Sequence, residues 1–185
     1  NSTPHLQIHV GSVLGKGKTS ECHVRVSDDS SEIEGSVRTF GSFSSRFGGS
    51  KVYFVVRFSQ PFVAHELWSD GTKDRGSHSA EGKDLGIEVA FASAPLPQAI
   101  EMRMGLSYVS MSNARENLET EVGQASFDQI QSQSSEEWEK HLGKVRIEGG
   151  NQHQRTILYT ALYRSLNMPA SFSDVNGQYL GIDQQ

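Results

Sequence analysis

The sequence changes its hydrophobic period once, near Ser110, and this change constrains the fold more than any other feature. Before Ser110, apolar and polar residues alternate over short segments, and the strongest segment, 51–58, is stopped by Pro61. After Ser110, apolar residues recur every four positions, as at Ala114 and Leu118. The first part therefore predicts short strands, and the second part predicts helices.

The strand-like segments share this alternation and are separated by turns rich in glycine. They are 6–10, 23–26, 51–58, 86–92 and 99–109, whereas 27–31 reads as a loop. No helical pattern lies between them. Several short strands in succession are typical of an antiparallel β-sandwich.

A capping box marks the start of a helix after the first helical segment. In this arrangement the Ser126 side chain accepts from the amide of Gln129, and the Gln129 side chain accepts from the amide of Ser126. Gly143 is well placed to end this helix. The apolar residues that fall near one of its faces are Phe127, Ile130, Trp138 and Leu142.

A second capping box, formed by Asn151 and Gln154, predicts another helix that stops at Pro169. Bulky side chains line most of its circumference, so we expect it to be buried on more than one side. They are Ile157, Leu158, Tyr159, Leu162, Tyr163 and Leu166. An Asn-Gly turn of the hairpin type follows at 176–177.

Composition excludes several classes of function. The 185-residue chain has a net charge of −5 and a pI of about 5.8, which argues against a nucleic-acid partner. No apolar run approaches the roughly 20 residues that span a bilayer, so we expect no membrane span. Cys22 is the only cysteine, which leaves no internal disulfide and no cysteine metal site.

Local motifs identify neither a catalytic residue nor a metal ligand. None of the seven histidines has the spacing of a metal site such as His-Glu-x-x-His. The segment 174–177 has its glycine at the fourth position, whereas an EF-hand loop has its glycine at the sixth. A pair of carboxylates with the separation that glycosidases require cannot be identified from spacing.

A series of short motifs in a fixed order carries more information than any one of them. It includes Val52-Tyr-Phe54, the Gly105-x-Ser107-x-x-Ser110 pattern, Asn117-Leu-Glu119, Trp138, Tyr159-Thr-Ala-Leu-Tyr163, Phe172-Ser-Asp-Val175, Gly177, Tyr179, Gly181 and Asp183. This ordered set resembles glycoside hydrolase family 92, the calcium-dependent exo-acting α-mannosidases. The chain departs from the family's frequent histidine, aspartate and arginine at Arg164, Asn176 and Gln178.

The resemblance implies a β-sandwich joined by helices to an (α/α)6 barrel. On this basis we expect three parts. Residues 1–110 form an N-terminal β-sandwich domain that is incomplete at its start. Residues 111–143 form a helical linker, and residues 144–185 form the truncated start of the catalytic domain.

The resemblance also implies that the full-length parent removes terminal α-linked mannose, with α-1,2 as the expected linkage, by an inverting mechanism that depends on calcium. The expected partners are mannose-containing glycans, as in N-glycan processing, and the remainder of the catalytic domain. A secreted, extracellular or periplasmic location follows from the same family. The family's catalytic carboxylates and calcium ligands map outside this chain, so we expect the chain alone to be inactive.

Three residues near the turn at 176–177 are predicted substrate contacts. Asp174, Tyr179 and Asp183 flank this turn where the family's two domains meet around the terminal mannose, and carboxylates accept strongly from sugar hydroxyls. Asp174 has an alternative role, in which it caps the turn through the backbone. Tyr179 has the alternative of simple packing.

Two other functions fit parts of the sequence. One is a non-catalytic carbohydrate-binding β-sandwich module with a helical docking tail. The other is an interaction domain that uses the apolar helix from 151 as its docking surface. Apolar side chains line most of the circumference of that helix, and an isolated module would leave them uncovered, which argues against the first alternative.

Overall fold

A computed structural model describes residues 3–13, 15–93, 99–168 and 171–181 of the chain. Its residues form two compact units. The first unit comprises Asn1–Gly123 and Ser173–Gln185, and the second comprises Gln124–Phe172.

Within the described residues, the first unit contains nine strands in two sheets whose paired strands are all antiparallel. The strands are β1 (His5–His9), β2 (Lys18–Val26), β3 (Glu32–Phe40), β4 (Ser50–Phe58), β5 (Ala64–Ser69), β6 (Thr72–Asp74), β7 (Ser79–Gly82), β8 (Leu85–Ala90) and β9 (Met102–Ser107). One sheet has the order β1-β8-β5-β6, and the other has the order β7-β2-β3-β4-β9. The predicted antiparallel sandwich is therefore confirmed.

The core of the sandwich is built by the alternate residues of each strand. On β4, Phe54, Val56 and Phe58 belong to the main core, whereas Val55 lies in a separate cluster. This two-residue period places successive side chains on opposite faces of the sheet. Other members of the main core are Val24, Val26, Ile33, Leu67, Leu85, Ile87, Val89 and Phe91.

The five predicted strand segments overlap β1, β2, β4, β8 and β9, but β3, β5, β6 and β7 were not predicted. The case of β3 has a clear physical reason. Its Gly35 interrupts the apolar alternation because a Cβ at this position would lie 2.5 Å from the Phe54 ring and 2.4 Å from the carbonyl oxygen of His23. The space that an apolar side chain would fill in β3 is filled by Phe54 from β4.

Helix α1 (Met111–Glu121) covers part of the outer face of the larger sheet. Its Ala114 and Leu118 pack on Val55. The backbone of α1 comes so close to β9 that a Cβ on Gly105 would lie 2.2 Å from the carbonyl oxygen of Ala114 and 2.6 Å from Cβ of Leu118. Gly105 is therefore the residue that permits this close packing.

The second unit contains helices α2 (Phe127–Leu142) and α3 (Gln152–Leu166). Both predicted capping boxes are confirmed, and Gly143 is the C-cap of α2. The rings of Trp138 and Tyr163 lie 4.5 Å apart between centroids, and the Tyr159 hydroxyl donates to the Val145 carbonyl.

The prediction that α3 is covered on more than one side concerns the full-length protein, and it stays a prediction. None of its side chains is buried, and Ile157, Leu158, Tyr163 and Leu166 are exposed. Among the described elements, α2 is the one that packs on α3. Pro169, predicted to stop the helix, lies outside the described residues. No helix in the described ranges is long and apolar enough to cross a membrane.

The approach of α1 to β9 generates a prediction about Gly105. We expect Gly105→Ala to lower the free energy of unfolding by about 1–3 kcal/mol, since the new methyl group collides with the α1 backbone. Equilibrium urea unfolding measures this change. Gly41→Ala is the control, because its Cβ would meet nothing closer than Ser44 Oγ at 3.6 Å. Equal stabilities of the two variants would contradict the packing described for α1.

Candidate functional site

The turn predicted at Asn176–Gly177 is present and starts at Asp174. The amide of Gly177 donates to the carbonyl of Asp174 at 2.8 Å, and the amide of Asp174 donates to the carbonyl of Gln178 at 2.8 Å. Gly177 has a φ of +82°, which a glycine adopts without strain. The three-residue loop with a left-handed glycine at its end is a common hairpin connection.

The carboxylate of Asp174 is held by three neutral side chains of the same unit. Its Oδ2 accepts from the Ser107 hydroxyl and from Nδ2 of Asn113, both at 2.7 Å. Its Oδ1 accepts from Nδ2 of Asn117 at 2.8 Å. We call these four residues the Asp174 clamp.

The local sequence explains how β9 and α1 bring the three donors together. Ser107 is the last residue of β9, and its hydroxyl also accepts from the amides of Val109 and Ser110, which turns the chain toward α1. Ser110 is the N-cap of α1 and accepts from the amide of Asn113 at 3.1 Å. Asn113 and Asn117 are one helical turn apart and therefore share a face.

Both asparagine side chains have their hydrogen-bonding groups satisfied. Asn113 donates to Gln178 Oε1 as well as to Asp174, and it accepts from the Ser110 hydroxyl. Asn117 donates to the carbonyl of Leu106 and to Asp174, and its Oδ1 accepts from the amide of Val175. Each is only 6 % exposed, and Ser107 is 2 % exposed. An unpaired polar group at such positions would be costly.

The pKa of Asp174 lies below its ordinary value. Burial alone raises the pKa of this carboxyl, but the hydrogen bonds from Ser107, Asn113 and Asn117 together lower it further than burial raises it. Hydrogen bonds donated to a carboxylate favour its charged form. Asp174 is therefore an anion that neutral donors stabilise.

Charged residues fasten α1 to the sheet next to the clamp. Glu32 on β3 accepts from Arg57 on β4 and from Arg115 on α1, and Arg57 also reaches Glu119 at 2.7 Å. Although burial lowers the pKa of Arg57, hydrogen bonds to Glu119 and Glu32 raise it above its ordinary value. Arg115 also contacts Glu34 at 2.8 Å. The helix that carries Asn113 and Asn117 is thus held by ion pairs as well as by Ala114 and Leu118.

The three predicted substrate contacts differ in their surroundings. Asp174 accepts the three side-chain hydrogen bonds of the clamp, which come from β9 and α1, and the alternative that its side chain caps the turn stays a prediction. Tyr179 follows the turn and is 68 % exposed. Asp183 lies outside the described residues.

Sequence reasoning did not identify Ser107, Asn113 and Asn117 as site residues. A signal was present for the two asparagines, because they lie at i and i+4 next to the apolar pair Ala114 and Leu118. Asparagines on an apolar helix face need buried partners. The identity of that partner, about 60 positions further along the chain, was not readable from spacing.

The described residues contain no group of three or more His, Cys, Asp or Glu side chains that could hold a metal ion. The donors around Asp174 are a hydroxyl and two amide nitrogens, and the amide Nδ2 groups point at the carboxylate. Because calcium takes oxygen ligands, this arrangement does not fit a calcium site.

Two family models match the chain one after the other. Residues 1–107 match the glycosyl hydrolase family 92 N-terminal domain, and residues 113–185 match the glycosyl hydrolase family 92 catalytic domain. The Asp174 clamp contains residues of both matched regions, since Ser107 ends the first and Asn113 begins the second.

Solved structures agree with these matches. A family 92 α-mannosidase from Bacteroides thetaiotaomicron is 25% identical, covers 99% of this chain with a TM-score of 0.86, and has also been solved with mannoimidazole. An inverting mannosidase from Bacteroides thetaiotaomicron VPI-5482 is 20% identical over 97% of the chain with a TM-score of 0.83, and it shares the fold.

The similarity covers a minor part of these relatives. The chain spans 24% of each of the two mannosidase structures. A protein from Arthroderma benhamiae named an uncharacterized secreted glycosidase is 28% identical over 90 residues, which are 46% of this chain and 12% of that protein.

The lowered pKa of Asp174 predicts a pH-dependent effect of Asp174→Asn. At pH 7 we expect the free energy of unfolding of the variant to be about 1–3 kcal/mol lower than that of the parent, because a buried donor of the clamp then faces another donor. A lowered pKa in the folded state stabilises the protein above the ordinary value of 3.8, and this stabilisation is lost as the pH falls through the folded-state pKa. The difference between the two proteins should therefore shrink below pH 3.8.

Urea unfolding at a series of pH values from 7 to 3 measures this difference. Asp28→Asn serves as the control, since Asp28 is an exposed loop residue whose substitution should change stability by no more than about 0.5 kcal/mol. A stability difference for Asp174→Asn that stays constant down to pH 3 would show that the clamp does not depend on a charged carboxylate.

Proposed function

Because this chain belongs to glycosyl hydrolase family 92, we propose that the protein it forms part of hydrolyses the bond to a terminal α-linked mannose with inversion of configuration. The observation that carries the proposal is the match of both family domains, in order, over residues 1–107 and 113–185. The 25% identity to a family α-mannosidase over 99% of the chain supports mannose as the sugar.

The proposed reaction needs two carboxyl groups. One protonates the leaving oxygen as a general acid, and the other activates water as a general base, with roughly 6.5–9.5 Å between them in inverting enzymes. We assign neither role to a described residue. Asp174 is a poor general acid, since the clamp keeps it ionised, and an acid must carry a proton near neutral pH.

We propose that the described part of the chain contributes to the reaction by joining the two matched regions. Ser107 ends the region matched by the N-terminal domain, and it donates to Asp174 in the region matched by the catalytic domain. Asn117 adds a second link, from Leu106 to Asp174. Such fixed contacts keep a substrate-binding segment in place on a rigid sheet, which favours productive orientation.

Calcium dependence is also part of the proposal, by membership of the family. The ion would supply electrophilic assistance at the sugar hydroxyls when bound. Since the described residues do not fit a calcium site, we assign its ligands to other residues and derive no step through the ion.

Of the three predicted sugar contacts, we propose Asp183 and Tyr179, and the contact by Asp174 stays a prediction. Tyr179 is exposed, so its ring and hydroxyl are free to meet a ligand. Asp183 comes four residues later and offers a carboxylate for a sugar hydroxyl. A sugar bound to Asp174 would have to share a carboxylate that already accepts three hydrogen bonds.

The remaining proposals concern the substrate and its location. We propose α-1,2-linked mannose at the ends of glycans such as N-glycans as the substrate, and the remainder of the catalytic domain as the partner of α2 and α3. The exposed apolar residues of α3 support this partner. The relative named a secreted glycosidase supports a secreted protein.

We expect the full-length protein to release mannose from α-linked mannobioses, fastest from the α-1,2 isomer. Chromatography measures release, and proton NMR at early times should show β-mannose as the first product. A calcium chelator should abolish the activity, and added calcium should restore it. The 185-residue chain alone is the control and should release none.

Each outcome of this panel separates the alternatives. Retention of configuration would exclude the inverting mechanism, and unchanged activity after chelation would exclude calcium dependence. Binding of mannobioses without release of mannose would instead support the non-catalytic carbohydrate-binding module.

A second prediction concerns Asp183. In the full-length protein, Asp183→Ala should lower kcat/KM on the best mannoside at least ~10-fold, which corresponds to about 1.4 kcal/mol of lost transition-state stabilisation. Its Tm should stay near that of the parent. Asp28→Ala, which changes an exposed aspartate of the β2–β3 loop, is the control. Unchanged kinetics of Asp183→Ala would place Asp183 outside the site.

A further inference from the structure

We infer that Asp174 is a positioning residue, which acts through the Asp174 clamp to set the course of residues 175–180 rather than by touching the sugar. The inference rests on the proposed function, because Tyr179 is a proposed sugar contact that this course would place. It is carried by the hydrogen bonds between this segment and α1.

Four of the five residues from 174 to 178 are held by side chains of α1. Asp174 binds Asn113 and Asn117, and the amide of Val175 donates to Asn117 at 3.0 Å. The remaining two contacts join Asn176 to Glu116 at 2.8 Å and Gln178 to Asn113 at 2.8 Å. A single helix thus fixes both the backbone and the side chains of the turn.

The donors that hold Asp174 are buried, whereas groups that bind a ligand are accessible to it. Asn113, Asn117 and Ser107 are nearly inaccessible, so a sugar hydroxyl could reach Asp174 only on the side that they leave open. A carboxylate has about four lone-pair sites, and three are already used. The arrangement is that of a structural anchor.

Tyr179 is the first residue after the clamped turn, and it is exposed. Its position relative to the sheet is therefore set by the hydrogen bonds that end at Gln178. The support of α1 is itself firm, since Ala114 and Leu118 are completely or almost completely buried. Groups that bind a substrate need such a supporting shell, because small displacements weaken catalysis strongly.

The test uses Asn117→Ala in the full-length protein. We expect faster hydrogen exchange of the amides of 175–178, and a fall of at least ~10-fold in kcat/KM on an α-mannobiose at temperatures where the protein is folded. Thr120→Ala is the control, because Thr120 is an exposed residue of the same helix. It should change neither quantity.

A swap distinguishes positioning from direct contact. Asp174→Asn alone places an amide donor opposite the donor of Asn113 or of Asn117. Asn113→Asp combined with Asp174→Asn restores an acceptor opposite a donor, and the Gln178 amide then has to turn so that its Nε2 donates to the new carboxylate. Positioning predicts that the double variant recovers both slow exchange and most of the lost kcat/KM. Slow exchange without recovery of kcat/KM would assign Asp174 to sugar contact and overturn the inference.

The two measurements also separate this inference from the proposed function. Unchanged exchange in Asn117→Ala overturns the inference, and so does faster exchange with unchanged kcat/KM. If the unaltered protein releases no mannose, the proposed function is wrong. In that case, faster exchange of the amides of 175–178 in Asn117→Ala would still show that α1 holds the turn, and unchanged exchange would show that it does not.

Discussion

The carboxylate of Asp174 is the point at which β9, α1 and the turn of the first unit are held together. It joins residues that are 57 to 67 positions apart in sequence, and its partners are neutral rather than cationic. In a poorly hydrated setting, a fully satisfied network of this kind is rigid, whereas a partly satisfied one is costly. Loss of one member therefore affects the sheet edge, α1 and the turn together.

Helix α1 links the two regions that the family models separate. The N-terminal match ends at 107 and the catalytic match begins at 113, yet α1 packs on β4 and β9 of the sandwich and lies in the same compact unit. The ion pairs of Arg57 and Arg115 and the contact at Gly105 all serve this packing. The predicted boundaries at 110 and 143 stay a prediction, but a cut at 110 would uncover Val55.

Local signals made some parts of the structure predictable. The capping boxes at Ser126 and Asn151 were readable because their partners lie three residues away. By contrast, β3 is not predictable from its own residues, because Gly35 breaks the apolar alternation to make room for the Phe54 ring of β4. The same difference between local and long-range contacts applies to the site. Asp174 was recognised through its turn, whereas Asn113 and Asn117 contact it only through tertiary structure, which a single sequence does not display.

The position of β9 has a consequence for association. It is the outermost strand of its sheet, and its Met102, Met104 and Leu106 are exposed. An unpaired strand edge with apolar side chains is a template for strand addition by another chain. Here Asn117 already occupies the carbonyl of Leu106, and α1 lies across Gly105. The helix that supports the turn therefore also uses one backbone acceptor of this strand, which is then not open to pairing with another chain.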